Sequence, residues 1–285
     1  MKPGAFEYVR ADSWDAAVRA LAADDGASAL AGGQSLVPAM NLRLASPTVL
    51  VDLQGIDGGA AVRREGDVVS AGALLTHARA ATDAELREVN PIIADAAGAI
   101  GHPAIRSRGT LGGSLAHADP AAEWPLVVAL LGAEVVVHGP DGERSVRGED
   151  FVRHVFTPSL DPGEVVTEVR FRCSGRPRGG AYRKLARVHG DFALLGVGVV
   201  AERTEQDGRL QVRVGVTGLG PKALVWTGED GCGTPALVAD RAAPWFLRTG
   251  DLARSPELAR HGERMLRALV ARTAATCFER LASCG

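Results

Sequence analysis

The sequence predicts an α+β protein built in two parts, and three observations carry that reading. Short strand-like runs, a hairpin and helical patterns intermingle over roughly the first 170 residues. The run Ser174–Gly180 (SGRPRGG) is rich in Gly and Pro and free of apolar side chains, so it reads as a linker. Beyond it, three strand candidates precede one long helical stretch, which suggests a three-stranded sheet covered by helices. A chain of 285 residues is long enough for two cores.

In chain order, Asp12 or Ser13 can cap a helix whose apolar positions Trp14, Ala17, Val18 and Leu21 fall on one face. The chain turns at Asp24-Asp25-Gly26, and Ala27–Ala31 and Val49–Leu53 are short buried-strand candidates, with a helical turn expected after Pro38 between them. Val62–Arg64 and Val68–Ala71, joined by Glu65-Gly66-Asp67, read as a hairpin. Asp83–Ile100 carries a helical pattern that Asn90-Pro91 divides in two. Asp119-Pro120 is expected to open a helix running to Leu131 and ended by Gly132. Glu134–His138 alternates into a turn at Gly139–Gly142, and Val165–Phe171 is a further strand. After the linker, Ala181–Ala186, Phe192–Ala201 and Leu210–Thr217 read as strands, with a turn at Asp207-Gly208. Ser255-Pro256 opens a helix to about Ser283.

Two glycine pairs carry most of the functional information: Ala31-Gly32-Gly33-Gln34-Ser35-Leu36 and Thr110-Leu111-Gly112-Gly113-Ser114-Leu115. Each follows a β-prone stretch and is followed at once by a hydroxyl side chain. Glycine permits positive φ and close approach to the main chain, so such segments can offer bare N–H groups to a phosphate. Two of them on one ligand would suit a diphosphate. The alternative is that either pair is an ordinary turn, in a chain with 35 glycines. Arg106 and Arg108 beside the second pair could balance phosphate charge, or could simply be solvated.

Other motifs are weaker. Gly196–Ala201 spells G-x-G-x-x-A, but it lies inside an apolar strand instead of joining a strand to a helix, so its glycines read as close-packing positions. No P-loop spelling occurs. Gly112–Ala116 lacks the final glycine of a nucleophile elbow, and no catalytic constellation stands out. His102, His117 and Asp119 match no common metal-ligand spacing, and Cys173, Cys232, Cys277 and Cys284 include no C-x-x-C pair. We therefore expect no metal or iron–sulfur site in this chain. A net charge of −2 without long runs of one sign argues against nucleic acid as a partner. No apolar stretch is long enough for a membrane span, and the sequence reads as cytoplasmic.

With their flanks, Ala31–Leu44 (AGGQSLVPAMNLRL) and Ile105–Pro125 (IRSRGTLGGSLAHADPAAEWP) resemble the two flavin-binding signatures of the medium, FAD-binding subunit of molybdenum hydroxylases, the xanthine dehydrogenase and carbon monoxide dehydrogenase family. The resemblance covers essentially the whole chain. It implies a PCMH-type FAD-binding domain over residues 1–175, with subdomains of about 1–57 and 58–175, and a smaller C-terminal flavoprotein domain over 176–285 with a three-stranded antiparallel sheet and helices. By the same resemblance, Ala31, Gly32, Gly33, Gln34, Ser35 and Leu36 should wrap the FAD pyrophosphate. Thr110, Leu111, Gly112, Gly113 and Ser114 should form a second wall, with Ser114 where family members often carry Asn. Ala118 and Asp119 belong to the matching A-D-P segment, and Glu123 stands for a carboxylate that binds the adenosine half. Tyr182–Ala193 resembles the segment that closes over the flavin ring, with Lys184 and Phe192 at matching positions.

The implied function is electron transfer through FAD in a three-component complex. A molybdopterin-binding large subunit oxidises the substrate, a small subunit carries [2Fe–2S] clusters, and the flavin here delivers electrons to an external acceptor. No side chain of this subunit need act as acid or base. Two other readings stay open on the sequence: a free-standing FAD-dependent oxidoreductase, and a flavin-free scaffold subunit.

Overall fold

The computed structural model describes residues 2–173, 178–204, 209–228 and 232–283. Among them are three sheets of three or more strands, besides a two-stranded pairing of Val152–His154 with Thr157–Pro158. The first is parallel, with Val49–Asp52 between Glu7–Arg10 and Ser28–Leu30. Ser13 caps the Trp14–Ala22 helix by accepting the Ala16 N–H at 3.3 Å, and that helix buries Ala17 and Val18. The second sheet is antiparallel, in the order Val62–Glu65, Val68–Gly72, Val165–Arg172, Glu134–Gly139, Gly142–Arg147. Its first pair is the expected hairpin, with Gly66 at φ 61° in the turn. Both helices expected across Asn90-Pro91 form, as Ala84–Val89 and Ile92–Ala99.

The third sheet corrects the three-stranded expectation. Arg178–Leu185, Leu195–Arg203 and Leu210–Thr217 are joined by a fourth strand, Leu224–Gly228, all antiparallel. A helix at Pro235–Thr249, capped by Thr234, was likewise not legible in the sequence; it packs with Pro256–Ser283 over this sheet. The expected linker is shorter than read, because Arg178-Gly179-Gly180 already belong to the first of these strands. The remainder of that linker, residues 174–177, and the expected turn at Asp207-Gly208 lie outside the described residues. Phe192 is not in a strand: the strand begins at Leu195, and Phe192 sits in the preceding loop, 61% exposed.

The helix expected from Asp119-Pro120 starts later, at Glu123. Asp119 instead accepts the Ala121 N–H at 2.8 Å, which turns the chain before the helix begins. The Glu123–Leu131 helix is then buried nearly all round, from Glu123 to Leu130. A helix without a polar face needs partners on every side. The four-stranded sheet supplies one of them.

That sheet is covered on both faces, and period-two alternation sorts its side chains. Val197, Val199, Ala201, Val212, Val214 and Val216 pack with the two C-terminal helices. Gly198 and Gly215 face the other way, where an added Cβ would lie 2.5 Å from Leu130 and overlap Leu126 respectively. Both are close-packing positions, which the sequence predicts for Gly198 but not for Gly215. Polar links tie the same junction together. Arg280 binds both Asp95 oxygens, at 2.6 and 3.1 Å, and the Gly180 carbonyl at 2.7 Å. Asp95 also accepts the Tyr182 N–H at 3.2 Å.

Gly179 packs directly on the long C-terminal helix, since a Cβ there would overlap the Cys277 carbonyl oxygen. A backbone atom cannot swing aside, so Gly179→Ala must push strand and helix apart. We expect a loss of about 1 to 3 kcal/mol, read as a lower Tm; an unchanged Tm would show that this contact relaxes freely.

Candidate functional site

The Ser28–Leu30 strand delivers the first glycine segment, and the chain turns at Gly33 with φ 71° before the Leu36–Asn41 helix. The second segment lies against it. A Cβ on Gly32 would overlap the Arg108 carbonyl oxygen and come within 2.7 Å of the Gly109 Cα, while a Cβ on Gly113 would stand 3.6 Å from that of Ala31. Segments far apart in sequence thus share one wall of a cavity of about 900 Å³.

The two segments differ in what they offer. None of the Gly32, Gly33, Gln34 or Ser35 N–H groups donates to a partner among the described residues. The second segment is not the open loop expected. Thr110 caps a helix, Leu111–His117, that contains both glycines. Its N–H groups are committed: Leu111 to Leu75 O at 2.9 Å, Gly112 to Ala73 O at 2.8 Å, Gly113 to Thr110 Oγ1 at 3.1 Å and Ser114 to Thr110 O at 3.0 Å. Gly112 is required because a Cβ there would lie 2.5 Å from that of Ala73. The second glycine pair therefore provides closeness alone, whereas the first combines close approach at Gly32 with free donors.

Of the residues singled out from sequence, Ala31–Leu36, Thr110, Gly112, Gly113, Ser114, Asp119, Glu123, Lys184 and Phe192 all line the cavity. Leu111 does not; it is fully buried in the central core. Ala118 does not either, being the buried, left-handed residue that ends the Leu111–His117 helix at φ 52°. Arg106 is committed elsewhere, donating to the Ile100 and Gly101 carbonyls at 3.0 and 2.8 Å.

Glu123 and Lys184 meet across the junction of the helix and the four-stranded sheet. Lys184 Nζ donates to Glu123 Oε1 at 2.9 Å and to the Asp191 carbonyl at 2.8 Å, so it also anchors the loop that carries Phe192. Glu123 is 4% exposed; burial pushes its carboxyl up, and Lys184 opposes that shift. Behind it, burial and then the Glu123 charge raise the Tyr182 hydroxyl well above its usual range.

Sequence reasoning missed His77, which also lines the cavity. It lies at the start of a helical turn, its N–H donating to Gly109 O at 3.0 Å, and its Nδ1 accepts the Trp124 indole N–H at 3.0 Å. Burial, with Arg106 adding to it, lowers its pKa from 6.5 to about 4. The partners stand more than thirty residues away in sequence, which leaves no local signal. Among the described residues, no cluster of three His, Cys, Asp or Glu side chains could hold a metal ion, and no helix is long and apolar enough to cross a membrane.

A cavity lined by two abutting glycine segments, one with free N–H groups, and by a lysine–carboxylate pair has the form of a dinucleotide cofactor site. Comparison with known proteins names the class. Residues 4–171 match the family model described as the FAD binding domain in molybdopterin dehydrogenase. The chain is 40% identical over 225 residues to the 6-hydroxypseudooxynicotine dehydrogenase complex subunit alpha of Paenarthrobacter nicotinovorans, covering 79% of this chain and 76% of that protein. It is 38% identical to the nicotine 6-hydroxylase medium subunit of the same organism, covering 85% of each. A solved carbon monoxide dehydrogenase from Hydrogenophaga pseudoflava contains a chain with a TM-score of 0.88 and 31% identity, covering 98% of this chain and 99% of that one. The chain belongs to the FAD-binding subunits of the molybdenum hydroxylase family, and is thus an oxidoreductase component.

The His77 environment sets a pH dependence. Unfolded, the imidazole takes a proton near pH 6.5; folded, only near 4. The unfolded chain binds more protons in that window, so this contribution is complete above about pH 6.5 and lost as pH falls towards 4. We expect it to amount to roughly 3 kcal/mol. Urea unfolding at about pH 7 and pH 4 should show a smaller acid loss in His77→Gln than in the wild type, and equal losses would contradict the assignment.

Proposed function

We propose that this chain is the electron-transfer subunit of a molybdenum hydroxylase complex, holding FAD in the cavity that both glycine segments line. The observation that carries this is the set of free N–H groups at Gly32, Gly33, Gln34 and Ser35, residues that line a cavity of dinucleotide size. The Ser35 and Ser114 hydroxyls, which donate to no described partner, supplement them at the diphosphate. Glu123 serves the ADP half, and Lys184 and Phe192 stand beside the flavin ring, the exposed Phe192 shielding it. Leu111 and Ala118 support these residues from the core. In this reading residues 1–175 form the FAD-binding domain and 176–285 a second domain that closes the cavity.

FAD supplies the redox chemistry, taking electrons from [2Fe–2S] clusters of a small partner subunit and passing them to an external acceptor, while a large subunit with molybdopterin oxidises the substrate. The residues of this chain bind and orient the cofactor and limit solvent access to it. Gln34 Nε2 donates to Gly32 O at 3.2 Å and Gln54 Nε2 to Ala31 O at 2.8 Å. Both hold the donor segment in shape before the cofactor arrives, which reduces the ordering cost of binding.

Gly33→Val places a branched side chain at positive φ, and Gly113→Val sets a Cβ 2.8 Å from the capping Thr110 Oγ1. Each should lower FAD affinity by about tenfold or more, with the far-ultraviolet spectrum of the protein retained. The measurement is visible absorbance together with identification of the flavin released on denaturation. Full flavin content in both variants would sink the site assignment. For the electron route, the purified complex is mixed rapidly with organic substrate, and cluster reduction should be followed by flavin bleaching. Clusters that reduce while the flavin stays oxidised would overturn it.

A further inference from the structure

Among the described residues, His77 is the one polar lining group of the cavity that the family resemblance left without a role and that is 4% exposed. An indole N–H can only donate, so the contact at 3.0 Å from Trp124 Nε1 requires His77 Nδ1 to be an acceptor. The imidazole proton must then sit on Nε2. Trp124 is fully buried, which fixes this tautomer as firmly as the core itself. Nε2 lies beside Gly109, where an added Cβ would come within 2.7 Å of it, and it donates to no partner among the described residues. Gly109 in turn abuts Gly32, so the free Nε2–H stands at the junction of the two glycine segments.

The cations of the lining are already engaged. Lys184 is paired with Glu123, and Arg187 with Glu257 at 3.1 Å through both of the latter's oxygens. An anionic ligand at the junction would thus be met by neutral N–H donors, the uncommitted main chain of Gly32–Ser35 and this imidazole. An oriented donor that needs no rearrangement is the kind of group that recognises a phosphate or a ring acceptor.

We infer that His77 is a cofactor-binding residue, its Nε2–H donating a hydrogen bond to an acceptor on the ADP half of FAD. The inference rests on the FAD reading above and assigns a contact which that reading does not contain.

His77→Asn separates the two faces of the ring. Its amide oxygen can still accept from Trp124, as Nδ1 does, while nothing reaches the position of Nε2. The full chain, stripped of flavin, is titrated with FAD and separately with ADP. In the variant, both dissociation constants should rise about tenfold or more, the range for a hydrogen bond to a charged group. Unchanged constants for both ligands, with the wild type binding normally, would overturn the role of His77 and leave the FAD reading intact. A rise for FAD alone would overturn the assignment to the ADP half. A wild-type chain that binds neither ligand would overturn the FAD reading itself, and this inference with it. Should the variant fail to fold, the wild type labelled with ¹⁵N-histidine gives an independent answer by nuclear magnetic resonance. The His77 Nε2–H signal should move downfield and exchange more slowly on addition of ADP; a signal that does not move would overturn the proposal.

Discussion

The contact of Gly32 with the Arg108 carbonyl and Gly109 is the constraint on which the site depends. It joins two main-chain segments with no side chain between them. Any Cβ at Gly32 would have to displace backbone, and that backbone is itself held, because Gly109 donates to Ile105 O at 2.7 Å and accepts from His77 N. From this one approach follow the positions of the free N–H groups, the capped helix behind them and the imidazole beneath. A phosphate-binding concavity needs main chain on its surface, and main chain can be brought to a surface this closely only where side chains are absent.

The second constraint is the four-stranded sheet being covered on both faces. The Ile92–Ala99 and Glu123–Leu131 helices of the first part lie on one face and the two C-terminal helices on the other. Gly198 and Gly215 let the Leu126 and Leu130 side chains rest on the sheet, and Gly179 does the same for the Pro256–Ser283 helix. This geometry carries Lys184 across to Glu123 and holds the loop bearing Phe192 over the cavity through the Asp191 carbonyl. The cavity is therefore a product of the junction, and packing that holds the two parts together also sets its width.

Charge plays a smaller part at the site than a diphosphate ligand would suggest. The lysine and arginine of the lining are paired, Arg106 is spent on two carbonyls, and His77 is held neutral by its burial and by the nearby Arg106 charge. What remains for recognition is a set of neutral N–H dipoles fixed in direction. Such dipoles act more strongly in a partly enclosed site than in water, and they need no counter-charge when the ligand is absent.

Much of this was legible in the sequence, because it depends on local rules. A cap at Asp12 or Ser13, the turn at Gly66, the break at Asn90-Pro91, the long C-terminal helix and both glycine segments follow from residue type and spacing over a few positions, and the flanks of the glycines carry the family. The tertiary structure alone decided which of those glycine N–H groups are free. Gly112 looks as available as Gly33 until the fold brings the Ala73 carbonyl to it. It likewise decided that Asp119 forms a turn instead of a helix cap, that Phe192 lies in a loop, that a fourth strand completes the last sheet, and that Trp124 fixes the tautomer of His77. A hydrogen-bonding group is free or committed according to what the whole chain places beside it, and no window of neighbouring residues contains that partner.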